Sequence, residues 1–112
     1  WILSKIINEK KRLLVTELNK EIARRIRLAR DKQALKEYDI TRDNIKNPVI
    51  IKQKIDESRK SLNAEIEAIK KEKIQRRNQI KDDARKAISK SKISQKSLNT
   101  SRTSRNNRVH PI

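Results

Sequence analysis

The residues with the clearest chemical potential are the cations near the C-terminal end of the chain. Residues 84–112 contain eight lysines and arginines, and the last acidic residue is Asp83. Unopposed cations can neutralise phosphates, and the serines and asparagines between them can add hydrogen bonds to sugar or phosphate oxygens. Arginine-rich flexible segments often become ordered only when they bind RNA. The candidate nucleic-acid-binding residues in this stretch are Arg85, Lys86, Lys90, Lys92, Lys96, Arg102, Arg105 and Arg108.

A second cluster of cations lies further towards the N-terminus. Its candidate nucleic-acid-binding residues are Arg24, Arg25, Arg27 and Arg30. Steps of three residues fall slightly short of one helical turn, so Arg24, Arg27 and Arg30 would drift around one polar face. This cluster has a second interpretation, a solvated face paired with Glu21 and Asp31. The C-terminal cations also have a second interpretation, in which they only make the chain soluble and bind no defined partner.

The sequence favours a protein that is not an enzyme and holds no cofactor. His110 is the only histidine and there is no cysteine, so a thiolate zinc site is excluded and His110 has no second histidine with which to share a metal. Glycine is absent, which excludes glycine-rich phosphate loops. The carboxylates of Glu65 and Glu67 are not three or four residues apart, so they would not share a helix face. We expect no small-molecule substrate.

Composition points to a basic, largely polar chain. The 112 residues carry a formal net charge of +17, with 40% charged and 33% hydrophobic residues. Such an excess of positive charge favours a polyanionic partner. No apolar run approaches the roughly 18–20 residues that cross a bilayer, so a membrane partner is not expected. The lack of cysteine argues against a small secreted disulfide protein and leaves intracellular, organellar and virion locations open.

Two long amphipathic helices must position these cations. In residues 1–38, apolar residues recur at helical spacing, with a few more that widen the stripe on one side. The stripe is Leu3, Ile7, Leu14, Leu18, Ile22, Ile26 and Ala29, widened by Ile6, Leu13, Val15, Leu28 and Leu35. Residues 48–90 carry a narrower stripe, formed by Ile51, Ile55, Leu62, Ile66, Ile69, Ile80, Ala84 and Ala87 or Ile88. The fold class is therefore all-α.

A short connection joins the two helices. Residues 39–47 are rich in Asp, Thr and Asn, which favour turns and caps. In the dipeptide Asn47-Pro48, Asn suits the N-cap and Pro the first helical position, so the second helix should begin at Pro48. Helices of similar length joined this closely favour an antiparallel hairpin or coiled coil. It would bring Ile26 and Ala29 near Ile55 and Leu62, and Leu3 and Ile7 near Ile80 and Ala84. Residues 91–112 are predicted to form a disordered or extended basic tail.

These observations predict a structural or assembly component that binds nucleic acid through phosphate neutralisation. RNA is favoured over DNA, for example within a ribosome-like ribonucleoprotein that also contains protein partners. The alternative is a coiled-coil component of a large protein assembly, such as a virion, a filament or a scaffold. In that case the apolar stripes would match partner helices, and the basic tail would act only as a tether.

Overall fold

The computed structural model describes the backbone of residues 2–107 and the side chains of residues 2–91. It contains two long helices, α1 (Ile2–Asp43) and α2 (Pro48–Asn107). The two helices contact each other as the arms of an antiparallel hairpin. The predicted all-α class and helical hairpin are therefore confirmed.

Residues 44–47 form the connection between the helices. The backbone N–H of Asn44 donates to the carbonyl of Ile40 at 3.2 Å, and its side-chain amide donates to the same oxygen at 2.9 Å. Asn44 thereby occupies a carbonyl that the end of α1 would otherwise leave unpaired. The carbonyl of Asn47 accepts the N–H of Ile51 at 3.2 Å, which is the first hydrogen bond of α2. The predicted start of α2 at Pro48 is thus confirmed, with Asn47 preceding it.

The first helix continues to Asp43, beyond the end predicted at residue 38. The side chain of Thr41 donates to the carbonyl of Glu37 at 2.8 Å, so its hydroxyl bonds back to the preceding turn. The guanidinium of Arg42 lies 5.8 Å from the centre of the Tyr38 ring, a cation–π contact across one turn. Residues that favour turns in isolation are therefore accommodated inside the last turn of α1.

The second helix continues through Asn107, whereas the sequence predicted a helix ending near residue 90 and an extended or disordered tail after it. Residues 49–110 contain neither glycine nor proline, so no residue forces the backbone out of the helix before Pro111. Lysine, arginine and glutamine in this stretch are good helix formers. The part of the tail prediction that falls on residues 108–112 lies outside the described residues.

Contacts divide the hairpin into two units, which we name the turn unit and the end unit. The turn unit comprises residues 16–77. Its core contains Leu18, Ile22 and Ala29 from α1, and Ile66 and Ile69 from α2. All five belong to the predicted apolar stripes, so the stripes face each other as expected.

Polar contacts near the connection also join the two helices of the turn unit. Gln33 is buried, with 6% of its surface exposed, and its amide oxygen accepts a hydrogen bond from the hydroxyl of Ser58 at 3.0 Å. Its amide nitrogen donates to Glu37 at 3.0 Å. Glu37 in turn accepts two hydrogen bonds from Arg59, one from Nη2 at 2.7 Å and one from Nε at 3.2 Å. Both polar groups of the buried Gln33 side chain are therefore satisfied.

The end unit comprises residues 1–15 and 78–112. Among its described side chains, only Ala84 is a buried apolar residue. Ile7 lines one groove together with Ile80, Ala84 and Ala87, which agrees with the predicted proximity of Ile7 to Ile80 and Ala84. The two helical segments of this unit therefore meet through their predicted stripes, but they bury little.

Candidate nucleic-acid interface

The first group of candidate cations lies on α1 in the turn unit. The side chains of Arg24, Arg27 and Arg30 are exposed. Within residues 2–91, none of these three arginines forms an ion pair with a carboxylate. The second interpretation of the cluster relied on pairing with Glu21 and Asp31. Glu21 does pair with one member of the cluster, Arg25, and also with Arg76 of α2, but it pairs with none of these three arginines.

Arg25 differs from its neighbours because it points towards α2. Its Nη2 donates to Glu72 Oε1 at 3.1 Å, and its Nη1 lies 3.8 Å from Glu21 Oε2. Arg76 Nη2 donates to Glu21 Oε1 at 3.1 Å, and its Nη1 donates to Glu72 Oε2 at 3.2 Å. Two arginines and two glutamates thus form a closed, half-exposed ion network between the helices. In this arrangement, the charge of Arg25 is largely offset within the protein.

The ion pairs between the helices alter the acidity of their members. Hydrogen bonding from Arg76 holds the pKa of Glu21 below its ordinary value, and Arg25 does the same for the pKa of Glu72. Hydrogen bonding from Arg59, followed by that from Gln33, lowers the pKa of Glu37. The carboxylates accordingly stay ionised at neutral pH, and each depends on a cation of the facing helix.

We expect the hairpin to lose stability as the pH falls below about 4. An unfolded glutamate titrates near 4.3. Because the folded pKa of Glu21, Glu37 and Glu72 is lower, their contribution is present above the unfolded pKa and disappears as the pH falls through the folded pKa. Urea unfolding followed by circular dichroism at pH 7, 4 and 3 measures this loss.

The matched variants for this titration each remove three carboxylates. Replacing Glu21, Glu37 and Glu72 by Gln should flatten the dependence of stability on pH. The control replaces three exposed acids outside the ion pairs, namely Asp31→Asn, Glu57→Gln and Glu65→Gln. If the control flattened the curve as much as the first variant, the ion pairs between the helices would not be its cause.

The second group of candidate cations lies on α2 in the end unit. Arg85 donates to Asp82 at 2.8 Å, one turn earlier on the same helix. Lys86 and Lys90 are exposed and form no ion pair within residues 2–91. For four further candidates the structure describes the helical backbone but not the side chains, and they are Lys92, Lys96, Arg102 and Arg105. Arg108 falls outside the described residues altogether.

Sequence reasoning missed the half-buried cations of the turn unit. The stripe of α2 lapses between Ile69 and Ile80, and there Lys73 and Arg77 are only partly exposed. Nε of Arg77 is buried without a hydrogen-bond partner. The only signal in the sequence is the eleven-residue gap in the apolar stripe. Long cationic side chains can cover apolar surface with their aliphatic stems while the charged group stays near water.

Neither a metal cluster nor a spanning helix occurs in the part of the chain that the structure describes. No group of three or more His, Cys, Asp or Glu side chains there is close enough to hold a metal ion. None of the described helical sequence has the length and hydrophobicity that crossing a bilayer requires. In comparisons with known proteins, no family model, curated protein or solved structure matches the chain.

Proposed function

We propose that the chain is a non-enzymatic assembly component that binds nucleic acid, with RNA favoured, by neutralising phosphates. The observation that carries the proposal is the state of Arg24, Arg27 and Arg30. They are exposed on one helix and lack ion pairs within the described residues, while nearby Glu21 is held by other arginines. Three fixed, unpaired guanidinium groups on a rigid helix suit contact with successive phosphates.

The balance of charge within residues 2–91 supports the same proposal. This part of the chain holds 26 basic and 14 acidic residues, a formal charge of +12. Nine of the acids form ion pairs with lysine or arginine of the chain itself. The five acids outside these pairs are far fewer than the lysines and arginines of residues 2–91 that form no ion pair. An external polyanion would supply the missing negative charge, and its binding would release condensed counterions.

The proposed contact reads the phosphate backbone rather than the bases. Trp1 and Tyr38 are the only aromatic residues, which is too few for a platform that stacks successive bases. Tyr38 also lies beneath the guanidinium of Arg42. Binding should therefore depend strongly on salt and weakly on sequence. A structural role within a ribosome-like ribonucleoprotein would use such contacts to hold folded RNA in place.

Replacing Arg24, Arg27 and Arg30 by Gln should weaken binding to a single-stranded RNA. Three lost phosphate contacts would reduce the slope of log K against log salt by about 2. Fluorescence anisotropy at several salt concentrations from about 50 to 300 mM measures the affinity and this slope, because salt in this range screens exposed charges increasingly strongly. Circular dichroism of each variant checks that the helices persist.

Two control variants accompany this experiment. Replacing the same arginines by Lys keeps the charge and should keep the salt slope. Replacing Lys52, Lys54 and Lys60 by Gln removes equal charge from exposed positions of α2 in the same unit. Equal loss in this variant and in the arginine variant would show that the arginine cluster is not a particular contact. RNA binding that is absent at low salt would contradict the proposed function itself.

A further inference from the structure

The end unit exposes an apolar surface that the hairpin itself leaves uncovered. Five large side chains of residues 2–15 are more than two-fifths exposed, and they are Ile2, Leu3, Ile6, Leu13 and Leu14. We call this set the apolar face of the end unit. In the same unit, Ala84 is the only buried apolar side chain among those described. The turn unit, by contrast, buries five apolar residues.

A groove runs between the two helical segments beside this face. It has a volume of about 360 Å³, and its apolar lining consists of Ile7 and Leu14 from α1 together with Ile80, Ala84 and Ala87 from α2. The small alanine side chains leave space opposite the larger residues of α1. Lys10, Lys11 and Asp83 line the groove as well. The lining of the groove is thus mainly apolar and carries two cations and one carboxylate.

We propose that the apolar face and this groove dock an acidic amphipathic helix of another protein, which completes a three-helix bundle. Ile2, Ile6 and Leu13 repeat at steps of four and seven, and so do Leu3, Ile7 and Leu14. These two parallel rows extend over three helical turns, about 16 Å at 1.5 Å per residue. Rows of this kind accept the i, i+3, i+4 and i+7 side chains of a partner helix.

The positive charge of the end unit favours an acidic partner at the apolar face over a second copy of this chain. Residues 2–15 and 78–91 contain eight basic and three acidic groups, a formal charge of +5. Among these acids, Glu9 is paired with Arg12 and Asp82 with Arg85. A second copy of this chain would bring like charges together around the apolar face, which disfavours self-association. A helix rich in glutamate or aspartate would place opposite charges there.

The shape of the surface also favours a helix over an anionic membrane. Ala84 in this groove is buried between the two helical segments at 9% exposure, so a flat bilayer surface would not reach it. The apolar face contains none of the cations proposed to contact RNA, so its variants can be tested separately from the RNA contact.

The test uses the full chain and a labelled synthetic helix of 21 residues. The probe carries leucine at i, i+3, i+4 and i+7 positions and glutamate at most others; its control has the same composition in scrambled order. Fluorescence anisotropy should show saturable binding of the probe that is at least tenfold tighter than that of the scrambled peptide. Equal binding of the two peptides, or no binding of the probe, overturns the proposal.

Two variants of the protein locate the binding. The double substitution Ile6→Ser and Leu13→Ser changes exposed residues of the apolar face, so the helices should persist, and binding of the probe should fall at least tenfold. The matched control is Leu28→Ser and Leu35→Ser, which changes residues of similar exposure in the turn unit. A loss that is no greater in the first variant than in the control overturns the assignment of this surface.

Other occupants would be recognised by separate measurements on the same variants. Sedimentation that shows a dimer of the chain, abolished by Ile6→Ser and Leu13→Ser, would assign the surface to a second copy and overturn the proposal. Binding to vesicles of phosphatidylserine and phosphatidylcholine that the same variant abolishes would assign it to a membrane and overturn it too. RNA binding by this variant should be unchanged, which separates this surface from the proposed RNA contact.

Discussion

A chain without residues 89–112 is expected to lose most of its affinity for RNA. The deletion removes six cations and no acid, namely Lys90, Lys92, Lys96, Arg102, Arg105 and Arg108. If each cation neutralises one phosphate of a single strand, the slope of log K against log salt falls by about 4. The affinity near physiological salt would fall on the order of a thousandfold. Fluorescence anisotropy with the intact and shortened chains measures both changes.

A full-length variant separates the role of charge from that of chain length. It replaces the same six cations by Gln, which preserves helix propensity and removes the charge. The expected loss of RNA affinity is the same as for the deletion. If the chain instead served only as a coiled-coil component of a protein assembly, both variants would still assemble with its partners, as co-purification after nuclease treatment would show. RNA affinity unchanged in either variant would contradict the proposed role of the basic segment.

Replacing Ile22 by Ala is expected to unfold much of the turn unit. Ile22 is 2% exposed and belongs to a core of only five apolar side chains in that unit. Truncation of a buried isoleucine to alanine costs about 2–5 kcal/mol, since the lost contacts and the cavity both contribute. Small domains are stable by only about 5–15 kcal/mol, so this loss is a large share of the total. Thermal unfolding followed by circular dichroism at 222 nm measures it.

The matched control for this core substitution is Leu35→Ala on the same helix. Leu35 is 66% exposed, and the change should shift stability by no more than about 0.5 kcal/mol. Alanine also has the higher helix propensity, so the control slightly favours the helix. Similar melting curves for the two variants would mean that the helices do not depend on the core between them. Each helix would then be stable without packing against the other helix.

The sequence was sufficient to predict the hairpin because its signals are local. The start of α2 at Pro48 depends on a dipeptide, and the facing stripes depend on spacing within each helix. The ends of the helices were harder to predict. Thr41 favours turns in isolated chains, but here its hydroxyl bonds to the preceding turn of α1. Serine and asparagine after residue 90 suggested a tail, although nothing in that stretch terminates a helix.

The candidate interface was only partly predictable for a different reason. The sequence identifies Arg24, Arg25, Arg27 and Arg30 as one cluster, but it does not say which of them face α2. Arg25 pairs with Glu72 across 47 positions, and such a contact depends on the alignment of the two helices. Contacts within one helix follow from local spacing, as the Glu21–Arg25 and Glu72–Arg76 ion pairs at four positions show. Long-range pairing therefore decides which cations are left for a partner.

The buried amide of Gln33 has a consequence for folding fidelity. Stripes made of isoleucine, leucine and alanine repeat at similar steps, so the two helices could slide past each other by a turn and still cover apolar surface. In a hairpin slipped by four residues so that Gln33 faces Leu62 instead of Ser58, the Gln33 oxygen would lose the hydrogen bond that the Ser58 hydroxyl donates. Leaving that buried oxygen unpaired costs about 1–3 kcal/mol. One polar side chain thus penalises misaligned hairpins that the apolar contacts alone would tolerate.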